Sequence, residues 1–294
     1  MCKHFMKTVL AGAALLALSA GSASALVVGG KNFTEQQLMA EMTAQYLQAK
    51  GYDVDKKSGM GSAVLREAQE NGQIDVYWEY TGTSLITYNK IDERMSPEET
   101  YQKVKELDAE KGLVWLEPSA ANNTYALAMQ ESQAAEMGIK SISDLADAVN
   151  EGKELTLASN AEWYARPDGL KPLQETYGFE FERADVKRMD SGLTYQALRE
   201  DQVDVALVFA TDGRIPAFNF VVLEDDKNFF PAYALTPVVR ADVLEANPEL
   251  ADQLNSLSAK LDDQTMASLN AQVDVEKQSI ESVAESFLKE HEMI

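Results

Sequence analysis

The chain repeats itself at one constant offset, and that repeat constrains its fold more than any other feature. Gly59-Met60-Gly61-Ser62-Ala63 leads into Gly72-Gln73-Ile74-Asp75-Val76-Tyr77-Trp78-Glu79-Tyr80. Arg188-Met189-Asp190-Ser191-Gly192 leads in the same way into Asp201-Gln202-Val203-Asp204-Val205-Ala206-Leu207-Val208-Phe209. Ser62 meets Ser191 and Asp75-Val76 meets Asp204-Val205, each 129 positions on, as 204 less 75 gives. The same step lays the strand candidate Leu26-Val27-Val28-Gly29-Gly30-Lys31 on Leu155-Thr156-Leu157-Ala158-Ser159-Asn160. A register held across separate blocks carries more weight than the few identities within them. The expected fold is therefore α/β, with two lobes of one plan. Strand-end loops of two such lobes can face one cleft, where open α/β sheets bind ligands.

Length agrees, since 294 residues exceed one comfortable core. With 45% apolar residues the composition is that of a folded chain. The first residues have the pattern of an export signal. Lys3 and Lys7 form a basic start, Val9 to Leu18 is apolar, and Ala23-Ser24-Ala25 offers small residues for cleavage. That apolar run is shorter than the roughly 20 residues a spanning helix needs. The one cysteine, Cys2, falls inside the signal, so a chain cut after Ala25 has neither a disulfide nor a lipid-attachment cysteine. Removing Lys3 and Lys7 takes the formal charge from −22 to −24. A field of that sign repels phosphate backbones and argues against a nucleic-acid partner.

Periodicity gives the order of elements. After Gly29-Gly30, the residues Phe33, Leu38, Met42 and Tyr46-Leu47 recur at helical spacing, with Thr34 placed to cap. Gly51-Tyr52-Asp53-Val54 starts a short extended unit, and Ser62 opens a helix. Ile74 to Tyr80 is a buried strand ending in the turn Thr81-Gly82-Thr83. Pro97 to Lys111 is a helix capped by Ser96. Asn122 to Met129 is extended and crosses between lobes. A helix begins at Ser143-Asp144-Leu145, and Leu170 to Tyr177 forms another, stopped by Gly178. Val221-Val222-Leu223 and Thr236 to Arg240 read as strands returning to the first lobe. Pro248 to Leu288 reads as helical, with Asn255, Asp262 and Asp274 near helix starts. The expected division is residues 1–25 for the signal, 26–125 and 218–294 for lobe 1, and 126–217 for lobe 2. Two crossings, near Tyr125 and Phe209, would form a hinge.

The chemistry is limited by what the chain lacks. Outside the signal there is no cysteine and one histidine, His291, which argues against Cys- or His-based nucleophilic catalysis and a histidine-rich metal site. No catalytic residue, metal ligand or cofactor is assigned. Asp75 and Asp204 could be taken for a catalytic pair, but matched places at strand starts fit local backbone bonding better. Gly59-x-Gly61 lacks the lysine of a phosphate loop and reads as a tight turn. Lys31, Tyr80, Thr83, Tyr125, Arg166, Phe209 and Tyr233 lie at or beside strand ends that would face the cleft. Aromatic faces attract a quaternary ammonium, and an arginine fork binds a carboxylate. A small zwitterion such as a betaine matches both.

At these positions the chain resembles the substrate-binding proteins of ABC importers for glycine betaine, choline, proline betaine and related osmoprotectants. The resemblance is carried by Gly30-Lys31-Asn32-Phe33-Thr34-Glu35-Gln36, Glu79-Tyr80-Thr81-Gly82-Thr83 and Asn123-Thr124-Tyr125-Ala126-Leu127. It continues in Arg166-x-Asp168-Gly169, Ala210-Thr211-Asp212-Gly213-Arg214 and Phe230-Pro231-Ala232-Tyr233. It implies a periplasmic-binding-protein fold of type II with two crossings and a closing cleft. It further implies delivery of a small zwitterion or quaternary amine to a permease driven by an ATPase. The cleavage site, the missing lipid-attachment cysteine and the negative charge lead to the expectation of a soluble periplasmic monomer, with no cofactor. By the same resemblance Tyr80, Tyr125, Phe209 and Tyr233 form an aromatic box for the ammonium. Lys31, Thr83 and Arg166 hold the carboxylate, with Glu162 and Asn123 nearby. Phe209 stands where many relatives have tyrosine, and Asn123 where an acidic residue can occur. The rival readings are a periplasmic carboxylate-dependent enzyme and a ligand-sensing binding protein for another small zwitterion.

Overall fold

The structure is a computed structural model that describes residues 25–294, so all but the last residue of the expected export signal lies outside it. Ten strands run in chain order among the described residues: β1 (Leu26–Lys31), β2 (Val54–Met60), β3 (Val76–Tyr80), β4 (Leu113–Trp115), β5 (Tyr125–Gln130), β6 (Leu157–Ser159), β7 (Val186–Arg188), β8 (Val205–Phe209), β9 (Phe220–Val222) and β10 (Leu235–Arg240). The helices up to the first return between lobes are α1 (Thr34–Ala49), α2 (Ser62–Glu70), α3 (Pro97–Ala109), α4 (Glu131–Met137), α5 (Ile142–Asn150), α6 (Ala161–Ala165), α7 (Leu170–Tyr177), α8 (Ser191–Arg199) and α9 (Arg214–Ala217). Four more close the chain: α10 (Ala241–Ala246), α11 (Leu250–Ser258), α12 (Asp263–Asp274) and α13 (Ile280–Glu290).

The strands make two five-stranded sheets in the orders β2-β1-β3-β10-β4 and β7-β6-β8-β5-β9. Three strands of each sheet are parallel, and the fourth, β10 or β5, pairs antiparallel and arrives from the other lobe's side of the chain. The internal repeat is thereby a repeat of architecture: α2 and β3 begin and end at the positions that α8 and β8 occupy one offset later. The centre strands β3 and β8 are buried almost throughout; β8 is an unbroken apolar run, and β3 is apolar or aromatic except for Glu79. Asp75 and Asp204 do the same local work in each lobe. Asp75 accepts from the Val27 backbone N–H and Asp204 from the Thr156 N–H, both at 2.8 Å, which ties the parallel strands together.

The chain passes from β4 to β5 and returns from β9 to β10. The two passages run side by side: Asn123 N–H donates to the Tyr233 carbonyl at 3.1 Å and Leu235 N–H to the Ala121 carbonyl at 3.0 Å. The Asn122 side chain adds an acceptor for the Tyr233 N–H at 2.7 Å. Ala121, Tyr233 and Leu235 of these passages are buried in the main hydrophobic cluster.

Helix ends explain several boundaries. Ser96 and Ser141 each close a capping box, with Glu99 and Asp144, and Pro97 takes the first turn of α3. Gly178 ends α7 in the left-handed conformation that a side chain resists. At Gly213 a Cβ would stand 2.5 Å from the Ala271 Cβ, so the turn into α9 lies directly on α12.

Some expectations are corrected. Val221-Val222 does not return to the first lobe, because β9 pairs with β5 inside the second sheet; the return follows it, and no crossing lies at Phe209. Thr34 does not cap α1. Phe33 holds that place, and the Thr34 hydroxyl donates to Asp274 at 2.9 Å. Thr81 to Thr83 is not an open turn but winds straight into a π-helical segment, Thr83–Tyr88. Asp274 ends α12 and Asn255 lies within α11, while Asp262 and Ser279 are the caps.

Candidate ligand-binding site

A cavity of about 430 Å³ opens where the strand ends of both lobes meet the two passages. Its walls include Lys31, Tyr80, Thr83, Asn123, Tyr125, Glu162, Phe209 and Tyr233. Arg166, the ninth residue singled out from sequence, lies just behind this lining. The strand ends bring Tyr80 from lobe 1 and Tyr125 and Phe209 from lobe 2, and the return passage brings Tyr233.

The rings touch in series. Tyr125 stands 5.3 Å from Phe209 and 5.4 Å from Tyr233, the latter edge-on at 85°. Sequence reasoning placed Phe33 only on the apolar face of a helix. It is a fifth ring of the cavity, stacked on Phe209 at 5.2 Å and 10° and facing Tyr80 at 6.3 Å. The motif Gly30 to Gln36 contains it, but helical spacing assigns a ring at a helix start to core and to cleft equally well. Burial pushes the phenols of Tyr80, Tyr125 and Tyr233 well above their ordinary range, so their rings stay neutral.

Both candidate cations are buried and already matched. Lys31 donates to Glu79 at 2.5 Å and lies 5.0 Å from the Tyr80 ring centre. Glu79 also accepts from Tyr77, Tyr88 and the Tyr80 backbone N–H, at 2.9, 3.0 and 2.7 Å. Arg166 lays Nε and Nη2 on the two oxygens of Asp168, at 2.7 and 2.6 Å. Burial opposes the Arg166 charge, but the paired Asp168 carboxylate outweighs it and keeps the guanidinium protonated. Its remaining Nη1 faces Thr83 Oγ1 and Glu162 Oε1, each at 3.4 Å. The guanidinium centre lies 5.4 Å from the Tyr125 ring and 6.0 Å from that of Tyr233. Tyr233 in turn donates its hydroxyl to Asp168. Arg166 and Asp168 thus brace two walls from outside, and Thr83 carries the polar contact inward.

Polar residues complete the lining. Ser62 and Ser191 open α2 and α8 toward it, and Asn160, Arg188 and Asp190 line it beside them. The serines marked the register of the repeat, and their place at two matching helix starts was the sign that both face the cleft. Helix starts carry unpaired N–H groups and partial positive charge. The whole arrangement offers apolar, electron-rich faces at one side and hydrogen-bond donors around them. It can hold a small organic cation and an attached acceptor group without forming a bond to either.

Comparison with known proteins agrees with this geometry. The family described as the substrate binding domain of ABC-type glycine betaine transport systems matches residues 24–290, and the chain belongs to it. The class defined is a type II periplasmic-binding-protein fold that captures a solute for an ABC importer. The particular relatives are nearer still. The chain is 48% identical over 291 residues to a glycine-betaine-binding protein of Pseudomonas aeruginosa, covering 97% of this chain and 94% of that one. Among solved structures it is similar to apo YehZ from Escherichia coli, at 32% identity and a TM-score of 0.68, covering 92% of this chain and 100% of that one. It is also similar to a structure described as a glycine betaine/carnitine/choline ABC transporter, at 29% identity and a TM-score of 0.73, with 91% and 99% covered. Among the described residues no helix is long and apolar enough to cross a membrane.

Proposed function

We propose that this protein binds a quaternary-ammonium osmoprotectant of the glycine betaine kind in the periplasm and hands it to the permease of an ABC importer driven by an ATPase. The observation that carries the reading is the convergence of Tyr80, Tyr125, Phe209 and Tyr233 on one cavity from both lobes and the return passage. A trimethylammonium group donates no conventional hydrogen bond, so aromatic faces are the partners that recognise it. Lys31, Thr83 and Arg166 take the carboxylate. Arg166 uses its Nη1 edge for this, with its other edge fixed on Asp168, and Glu162 and Asn123 border the ligand. The lobes close about the two passages on binding. The mature protein starts near Leu26 and acts as a soluble monomer, which mass spectrometry of the exported chain and light scattering check.

A thermal-shift screen with glycine betaine, proline betaine, carnitine, choline, ectoine and proline tests the reading. A ligand that binds the folded state alone raises the melting temperature with concentration, by about 2.7 kcal/mol of stability at a hundredfold excess over Kd. The quaternary amines should raise it and proline, whose amine carries hydrogens, should do so less. A protein unmoved by every quaternary amine would contradict the assignment, and turnover of the ligand would favour the enzyme reading.

A further inference from the structure

Glu35 lies in the first turn of α1, 3% exposed, next to the aromatic cavity and outside its lining. Its Oε1 accepts from the Tyr80 hydroxyl at 2.7 Å and from Asn123 Nδ2 at 2.8 Å. Its Oε2 accepts from the Thr211 hydroxyl at 2.5 Å and from Asn270 Nδ2 at 3.1 Å. None of these four partners is positively charged. Burial raises the Glu35 pKa above the ordinary carboxylate range, while the four hydrogen bonds work in the other direction. Asn123 and Asn270 present N–H donors to the two oxygens, while the hydroxyls of Tyr80 and Thr211 can donate or accept, so the four contacts together fix the orientation of the carboxyl group.

The four donors come from four separate parts of the chain. Tyr80 ends β3, Asn123 belongs to the first passage, Thr211 follows Phe209 in the second lobe, and Asn270 sits on α12. Two of them, Tyr80 and Asn123, line the main cavity, and Thr211 is two residues from a third lining residue, Phe209. Asn123 spends its Nδ2 on Glu35, which settles which end of the amide is the oxygen. That Oδ1 has no hydrogen-bond partner of its own. A buried carboxyl group needs hydrogen-bond partners, and here those partners tie together four parts of the chain beside the cavity.

We propose that Glu35 is the positioning residue of the aromatic box: it sets the Tyr80 ring, the Asn123 amide and the turn after Phe209 in one register without itself touching ligand. This rests on reading the box as the ligand site. Glu35 couples the walls that come from different lobes, so its effect on binding must pass through the groups it holds. An isosteric Gln supplies one acceptor oxygen and one amide NH2, which then faces the Nδ2 of either Asn123 or Asn270.

The test is a double-mutant cycle on the intact mature protein, with glycine betaine affinity measured by calorimetry and ligand-free melting curves taken for each variant. Glu35→Gln and Tyr80→Phe should each weaken binding, Glu35→Gln by about tenfold or more. The double variant should lose much less than the product of the two, because both changes break the same link. Thr211→Val, which removes one donor on the second lobe, should weaken binding several-fold. If Glu35→Gln fails to fold, the pair Thr211→Val and Tyr80→Phe carries the cycle in its place, with a loss smaller than the product again expected. Unchanged affinity in Glu35→Gln, or losses that simply multiply in whichever cycle folds, would overturn the positioning role while leaving the ligand reading intact. Failure of the wild-type protein to bind any quaternary amine would overturn the ligand reading and the positioning role together.

Discussion

Arg166 grips Asp168 through two parallel hydrogen bonds, at 2.7 and 2.6 Å, and both residues are buried at the edge of the aromatic cavity. The pair does two things at once: it aims the remaining guanidinium nitrogen at Thr83 and anchors the hydroxyl of Tyr233. Stability and binding can be separated by removing one partner or both. Arg166→Ala leaves a buried carboxylate uncompensated and should cost about 3–5 kcal/mol. The double variant Arg166→Ala/Asp168→Ala should recover much of that in thermal unfolding. Its glycine betaine affinity should nevertheless stay low, with choline affinity less affected because choline has no carboxylate.

Asp75 and Asp204 are equivalents across the repeat, each accepting a backbone N–H of the neighbouring parallel strand at 2.8 Å. Replacing either by Ala orphans that donor, at a cost of about 1–3 kcal/mol. Urea unfolding should show losses of similar size for the two variants, and glycine betaine affinity should remain within about twofold of wild type, since neither lines the cavity. A large loss of binding from either one would mean that the carboxylate has a role beyond joining strands.

Asp108 links pH to stability. It accepts from both ends of the Arg66 guanidinium, at 2.8 and 2.6 Å, and from Ser84, Asn89 and Trp115. Burial alone would raise its pKa, but the Arg66 hydrogen bonds and charge outweigh burial and hold it at about 2. The unfolded value is about 3.9, so the folded state binds its proton later. The stabilisation is therefore complete above about pH 4 and is lost as pH falls toward about 2. Denaturant titrations at pH 6, 4 and 2.5 should show stability falling across the acid interval, and Asp108→Asn should flatten part of that fall.

The sequence was most legible where chemistry is local or repeated. Ser62 and Ser191 fixed a register that the two sheets reproduce, and Gly178 stopped α7 where a left-handed residue was needed. The ring-bearing strand ends were legible for the same reason, since Tyr80 and Phe209 close equivalent strands. What escaped was set by partners far along the chain. Val222 looks like any short strand, and only its pairing with Ala128 puts it in the second lobe. The partners of Glu35 lie 45, 88, 176 and 235 positions away, so no local pattern announces it. Phe33 was hidden differently, because a ring at a helix start fits helical periodicity whether it faces core or cleft.

The most direct test of the account is calorimetric titration of glycine betaine into wild-type protein and into Tyr125→Ala. Tyr125 opens β5 directly after the first passage and its ring lies against both Phe209 and Tyr233, so it is the central ring of the proposed box. The wild type should bind one glycine betaine per chain saturably. The variant should bind at least tenfold more weakly, in keeping with about 2 kcal/mol for a desolvated cation over an aromatic face. Equal affinities in the two proteins, or no binding by wild type, would contradict the claim that this cavity recognises a quaternary ammonium through its aromatic walls.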